Sequence, residues 1–507
     1  MRLERSKNTK RNIEIGFINK IISLFFPFFV QTIFIKTLGV EYLGLRGVFS
    51  SILQVLNLAE LGFGSAMVFN MYEAIADDND ELICSLLGLY KKIYRYIGVF
   101  ILTVGLLMMP FIPKMITGGY PNDINIFIIY LMYVANTVLS YCLYSYKISL
   151  LNAFQRQDII GLINMIVQCV INSAQIIYLI VSKNFYIYLS LQILSTILSN
   201  IIISISVDKI FPEYYCRGTV PQHIIAKTKK KMIGLMLYKL CGVTRNSFDN
   251  IFISMYLGLT LVGMYNNYYY IITNVLGLLS IVTSSMLAGV GNSIALENKD
   301  KNYKDMMNLD CIYMVFAGWC TICMLCLFQP FMRIWMGESL VFPFSIATLF
   351  AIYFYILCMG NIRALYSDAA GLWWENRYRT LVEAIANIIL NYLFVKLWGV
   401  YGIILATIIT LFLIGYASSA IVLFKGYFHF GLKNYFLNHI KYMSATIINC
   451  IITLAICCSI TGNEIRILLG RLAICCVATP MIYFIIFFKN KTFTESFQWL
   501  RYRLLDR

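Results

Sequence analysis

Three charges stand inside one apolar stretch: Lys239, Arg245 and Asp249 in LMLYKLCGVTRNSFDNIFISMYLG, residues 235–258. A charge on a lipid-facing helix surface at mid-membrane costs at least about 2.5–3.5 kcal/mol, so such groups normally face a bundle interior or a water-filled cavity. Counting about 1.5 Å per residue from Lys231 puts Lys239 roughly 12 Å into the membrane, Arg245 roughly 21 Å in, and Asp249 nearer the far surface. Arg245 and Asp249 are four apart, on one helix face and within ion-pair reach. Fixed cations of this kind attract anions. An acid beside them can tune the arginine or take up a proton or Na⁺. The stretch therefore reads as the lining of an anion-binding cavity, with a purely structural Arg245–Asp249 pair as the plainer alternative.

Other ionisable residues divide the same way. Arg46, just inside the second apolar run, either snorkels to the outer surface or contacts substrate. Arg363, like Lys147 and Asp368, lies near the inner end of its run and is equally double-valued. Glu60 in NLAELGFG is either a proton or cation site or a packing residue beside glycine. Arg333 reads as interfacial, and the tyrosines of YNNYYYIIT (Tyr265 and Tyr268 to Tyr270) as an aromatic belt or a sugar-stacking surface. CTICMLC carries Cys320, Cys323 and Cys326 at iron–sulfur spacing, but the fourth ligand is missing and cysteine in an apolar helix packs as a small hydrophobe. The three histidines are too scattered for a metal site, and there is no phosphate-binding P-loop. Neither an enzyme nor a cofactor is expected.

These residues must be positioned by membrane helices. Of 507 residues, 60% are hydrophobic and 13% charged, against about 25% charged in a soluble domain. Apolar runs of about 20 residues read as spans. Fourteen are expected, at 14–37, 45–70, 86–112, 123–149, 157–181, 186–207, 232–257, 261–290, 307–335, 341–367, 378–398, 401–424, 440–460 and 468–488. The chain is thus an all-α polytopic membrane protein, its first run a retained helix and not a cleaved leader. Lysine and arginine concentrate in alternate connections, which places both termini in the cytoplasm. The net charge of +16 is mostly this topology signal, with some attraction to anionic lipid. It is spread over many short loops, which speaks against nucleic acid.

The chain also resembles itself. A shift of 219 residues carries Leu38-Gly39 onto Leu257-Gly258, Gly44 onto Gly263, Asn79 onto Asn298 and Tyr94 onto Tyr313. It also carries Lys20 onto Lys239. An even-numbered unit of six helices gives parallel repeats, and transporters place the substrate path between such halves. The expected organisation is an N-lobe at 1–207, a basic linker at 208–231, a C-lobe at 232–424, and two further helices with a cytoplasmic tail at 425–507.

With the basic start and Arg11-Asn12, three segments carry a family likeness: LGVEYLGLRGVFSSILQVLNLAELGFGSA (38–66), LLNAFQRQD (150–158) and DNIFISMYLGLTLVGMYNNYYYI (249–271). The chain resembles the polysaccharide transporter family of the multidrug/oligosaccharidyl-lipid/polysaccharide (MOP) flippase superfamily. That resemblance implies a bacterial inner-membrane flippase of undecaprenyl-pyrophosphate-linked oligosaccharide for O-antigen, capsule or exopolysaccharide. It further implies two lobes around a cationic cavity, alternating access, and coupling to an H⁺ or Na⁺ gradient. The implied partners are the lipid-linked oligosaccharide, membrane lipids and glycan polymerase machinery. Lys20, Lys239 and Arg245 would hold the pyrophosphate, with Asp249, Arg46 and Arg363 as further contacts. The nearest rival is a peptidoglycan-precursor flippase. A multidrug antiporter would have twelve spans and an acidic cavity, and a glycan polymerase a large outer loop.

Overall fold

The computed structural model describes residues 22–505, apart from residues 24, 61, 62 and 489. All regular structure among the described residues is helical, as the composition requires. The first unit of the chain contains α1 (Phe25–Thr37), α2 (Val40–Leu56), α3 (Phe63–Ala76), α4 (Asp80–Met108), α5 (Ile126–Cys142), α6 (Tyr146–Ala153), α7 (Gln157–Ser182), α8 (Phe185–Ile210) and α9 (Gln222–Leu257). There follow α10 (Leu259–Leu296), α11 (Lys299–Met336), α12 (Phe344–Cys358), α13 (Asn361–Ala369), α14 (Arg377–Trp398), α15 (Val400–Ile409), α16 (Ala417–Leu423), α17 (Lys433–Cys458), α18 (Glu464–Phe487) and α19 (Lys491–Leu505).

Ten of the described helices are long and apolar enough to cross a membrane, eleven if α5 and α6, bent by 51° at their junction, form one broken span. The expected fourteen exceeds this for physical reasons. Only the short α1 is described of the first run. The second is interrupted by a 3₁₀ turn, Asn57–Glu60, between α2 and α3. The seventh is α9, whose 36 residues carry the charges singled out above.

The 219-residue repeat survives as geometry. Gly39 (φ 105°, ψ 171°) and Gly258 (φ 92°, ψ 170°) introduce α2 and α10 in the same left-handed conformation, which a side chain would strain. The Asn79 side chain caps α4 by accepting from Leu82 N, and the Asn298 side chain caps α11 by accepting from Lys301 N, both at 2.9 Å. Most telling is the crossing of α2 with the first turn of α10. A Cβ on Gly44 would meet the Leu259 carbonyl group, and a Cβ on Gly263 would lie 2.5 Å from Val40 O. Val40 and Leu259 are themselves 219 apart, so the two contacts are exchanged copies of each other. Small residues let membrane helices approach this closely.

Two compact units are present, Met1–Gly263 and Met264–Arg507. The division falls inside α10. The reason is packing: α9 lies along α2, with Asn250 Nδ2 donating to Ser51 Oγ at 2.9 Å and Ser247 Oγ to Gln54 Oε1 at 3.2 Å. Helix seven therefore belongs to the first unit. In the second unit α11 is the central element, packed by α12, α17, α18 and α19. Tyr268 sits in that unit's core against Phe328, Phe342 and Phe350 instead of joining an interfacial belt.

Candidate functional site

The bonds from Ser51 and Gln54 set α2 and α9 antiparallel in one register, residue 51 opposite 250 and 54 opposite 247. Extrapolating that register down the pair brings the 3₁₀ turn at the end of α2 to the level of Lys239. Glu60 and Lys239 are indeed close enough for their charges to interact. Tyr141 of α5 donates its hydroxyl to Glu60 Oε2, and the Tyr94 ring of α4 stacks on Tyr141 at 6.1 Å. The lysine of α9 thus stands near the level of a carboxylate that a tyrosine holds. Glu60 is the residue the sequence left undecided. Its position at the break in the second run is the signal that singles it out, because a helix interruption in a membrane needs polar company.

The other expected residues fall at different places. Lys20 lies outside the described residues. Asp249 has no exposed surface, and Arg245 is half-buried with its Nη2 donating to Cys241 Sγ at 3.5 Å. Arg46 donates through Nη1 to Tyr188 OH at 3.2 Å. By the same register it stands opposite about residue 255, some 16 residues or about 24 Å along the helix from Lys239. Arg46 and Lys239 are not neighbours. Lys147 ends in an ion pair with Asp208 at 2.6 Å and Arg333 in one with Glu464 at 3.0 Å.

In the second unit Arg363 is 6% exposed. Its guanidinium lies over the Tyr416 ring at 5.0 Å, and Nη1 donates to Tyr435 OH at 3.3 Å, so its charge is taken up within the helix bundle. Beside the same tyrosines His439 Nε2 meets Asp310 Oδ2 at 2.9 Å, both residues almost wholly buried. Neither residue was singled out from the sequence. A further polar row runs down one face of α14. Glu383, at 2.7 Å from Arg379, is followed one turn on by Asn387, which donates to Thr407 and Thr410 where the following helix loosens into a π-helical stretch, Thr410–Tyr416. The Cys326 thiol does find company, with Cys457 and Cys475 within 4.8 Å, from three helices. All three are buried among apolar residues, where thiols pack as hydrophobes.

No family model matches the sequence, and no curated protein matches it. Solved structures do match. A lipid II flippase, MurJ, in an inward closed conformation superposes with a TM-score of 0.65 at 16% identity, covering 94% of this chain and 98% of its own. The chain shares the fold of solved MurJ and MATE transporters. An inward-facing multidrug resistance MATE transporter of the MOP superfamily gives 0.59 at 13% identity, covering 80% of this chain and 94% of its own. A point mutant of the Vibrio cholerae MATE transporter VcmN gives 0.57 at 16%, covering 83% and 97%. These multidrug transporters leave about a fifth of the present chain unmatched, whereas the flippase accounts for nearly all of it.

Proposed function

We propose that this protein is a flippase that carries a polyprenyl-pyrophosphate-linked oligosaccharide across the bacterial inner membrane, with both termini in the cytoplasm. The observation that carries the reading is the register of α2 against α9, which brings Lys239, a cation on an apolar helix, to the level of Glu60 at the break after α2. A pyrophosphate needs fixed positive charge at membrane depth, while its polyprenyl tail can stay in lipid. The substrate anion competes with Glu60 for Lys239. Glu60, released, takes up a proton or Na⁺, so substrate binding and ion binding exchange at one lysine. That exchange supplies coupling to an ion gradient without any covalent step, and no cofactor is called for. Arg245 and Asp249, roughly two and three turns further along α9, extend the polar column for the sugar end of the substrate.

The test is complementation of a flippase-null strain supplied with cognate glycan genes, comparing wild type with Lys20→Ala, Lys239→Ala and the double variant at matched expression. Loss of surface glycan with accumulation of lipid-linked units is expected. Full activity of the double variant overturns the role of the lysines. A second reading, transport of the peptidoglycan precursor, is favoured by the extent of the match to the lipid II flippase. Rescue of a strain depleted of its own lipid II flippase, without glycan genes, would decide for it.

A further inference from the structure

The second unit carries a polar pocket of about 430 Å³ apart from every residue assigned above. It opens near the starts of α11, α17 and α19, at the end that the charge distribution assigns to the cytoplasm. We propose that this pocket binds the headgroup of an anionic glycerophospholipid of the inner leaflet, an assignment independent of what the protein transports.

Three helices build the site. From α11 come Lys304 and Asn308, from α17 Asn434, Asn438 and Lys441, and from α19 Glu495. The α19 wall is fixed in place. Ser496 Oγ donates to Asn308 Oδ1 at 3.1 Å and Trp499 Nε1 to Asp305 Oδ1 at 2.7 Å, so α19 runs antiparallel to α11 in a single register. Among the described residues neither Lys304 nor Lys441 has an ion-pair partner. Two lysines against one glutamate leave the pocket with one net positive charge, and the asparagine amides offer donors and acceptors suited to phosphate and glycerol oxygens.

Depth selects the leaflet surface. From Arg333, at the opposite end of α11, to Lys304 is 29 residues, about 43 Å. A bilayer is about 30 Å across its hydrocarbon and about 40–45 Å with its headgroups, so Lys304 falls in the phosphate layer. Lys441 lies 17 residues from the far end of α17, about 26 Å, at the hydrocarbon boundary that a lysine reaches by snorkelling. The pocket also stands at the foot of an apolar strip. Leu437, Ile448 and Ile452 share the α17 face of Lys441 and are 43%, 48% and 41% exposed. An acyl chain attached to a phosphate between the lysines would lie along that strip, which a free phosphate could not use. Basic pockets between membrane helices on the cytoplasmic side bind acidic headgroups in this manner.

Native mass spectrometry of the purified full chain tests the assignment, with phosphatidylglycerol, phosphatidylethanolamine, undecaprenyl phosphate and inorganic phosphate as probes. One phosphatidylglycerol should be retained in preference to phosphatidylethanolamine. Lys304→Gln/Lys441→Gln should weaken it about 30-fold, roughly fivefold per lysine. Lys304→Arg/Lys441→Arg should keep it, and Lys425→Gln, on the same side outside the pocket, should leave it unchanged. An unaltered melting temperature of the glutamine variant separates lost binding from lost fold. The proposal is overturned by equal retention of both phospholipids, by unchanged affinity in the double glutamine variant, or by an equal loss in Lys425→Gln. Competition by inorganic phosphate alone, or tighter binding of undecaprenyl phosphate through the same lysines, also overturns it.

Discussion

Replacing Gly263 by alanine puts a methyl carbon 2.5 Å from Val40 O and 2.6 Å from Val40 Cγ2. An ordinary contact begins at 3.4 Å, so α2 and the start of α10 must part by about 0.9 Å at their crossing. Two effects compete. Alanine is the better helix former by about 0.5–1 kcal/mol. Forcing a packed crossing apart costs about 1–3 kcal/mol, and the nearest obstacle is backbone that cannot swing aside. The second effect wins, and a net loss on the order of 1 kcal/mol is expected. Gly44→Ala should lose more, because the Leu259 carbonyl carbon alone lies 2.8 Å from the new methyl. One parting of the helices relieves both clashes, so the double variant should cost less than the sum. Thermal melting of purified protein measures this, with Gly242→Ala as the control: nothing lies within 4 Å of its added methyl, so it should stabilise α9. The reasoning is refuted if Gly263→Ala stabilises as Gly242→Ala does, or if the two crossing variants add in full.

Other consequences are checked in the same preparations. Glu60→Gln and Lys239→Gln should couple by at least about 0.5 kcal/mol in a double-mutant cycle on transport rate; strict additivity would separate the two residues. Asp310→Leu removes the carboxylate 2.9 Å from His439 Nε2 in the core of the second unit and should cost about 1–3 kcal/mol by melting, much of it recovered in Asp310→Leu/His439→Leu. If the double leucine variant is as unstable as the single one, the pair is not what holds α11 to α17. Asn79→Ala and Asn298→Ala should each cost about 1 kcal/mol and expose the amides of Leu82 and Lys301 to exchange. Markedly unequal costs would mean that the two caps are not structural equivalents.

Much of this architecture was legible in one dimension. Membrane class, helix positions and the 219-residue repeat follow from composition and short-range pattern, because hydrocarbon thickness and backbone hydrogen bonding act on each segment alone. Gly39 and Gly258 adopt the same φ and ψ since a glycine ahead of a helix meets the same local steric demand in both copies. The charges within the apolar part of α9 were likewise conspicuous, being costly wherever they stand in a membrane. What they face was not legible. Glu60 and Lys239 are 179 residues apart, and their approach depends on how α2 is broken and on the register of α2 against α9. Arg363 reads equally as a snorkelling or a substrate-facing cation, and only the structure shows Tyr416 and Tyr435 around it. His439 passes for a surface residue until α17 is rotated so that it meets Asp310. Helix formation is decided by neighbours within a turn or two, but helix rotation and register are decided by packing between segments distant in the chain. The sequence therefore determined which helices exist and which charges need explaining, and only the tertiary structure decided which of those charges answer one another.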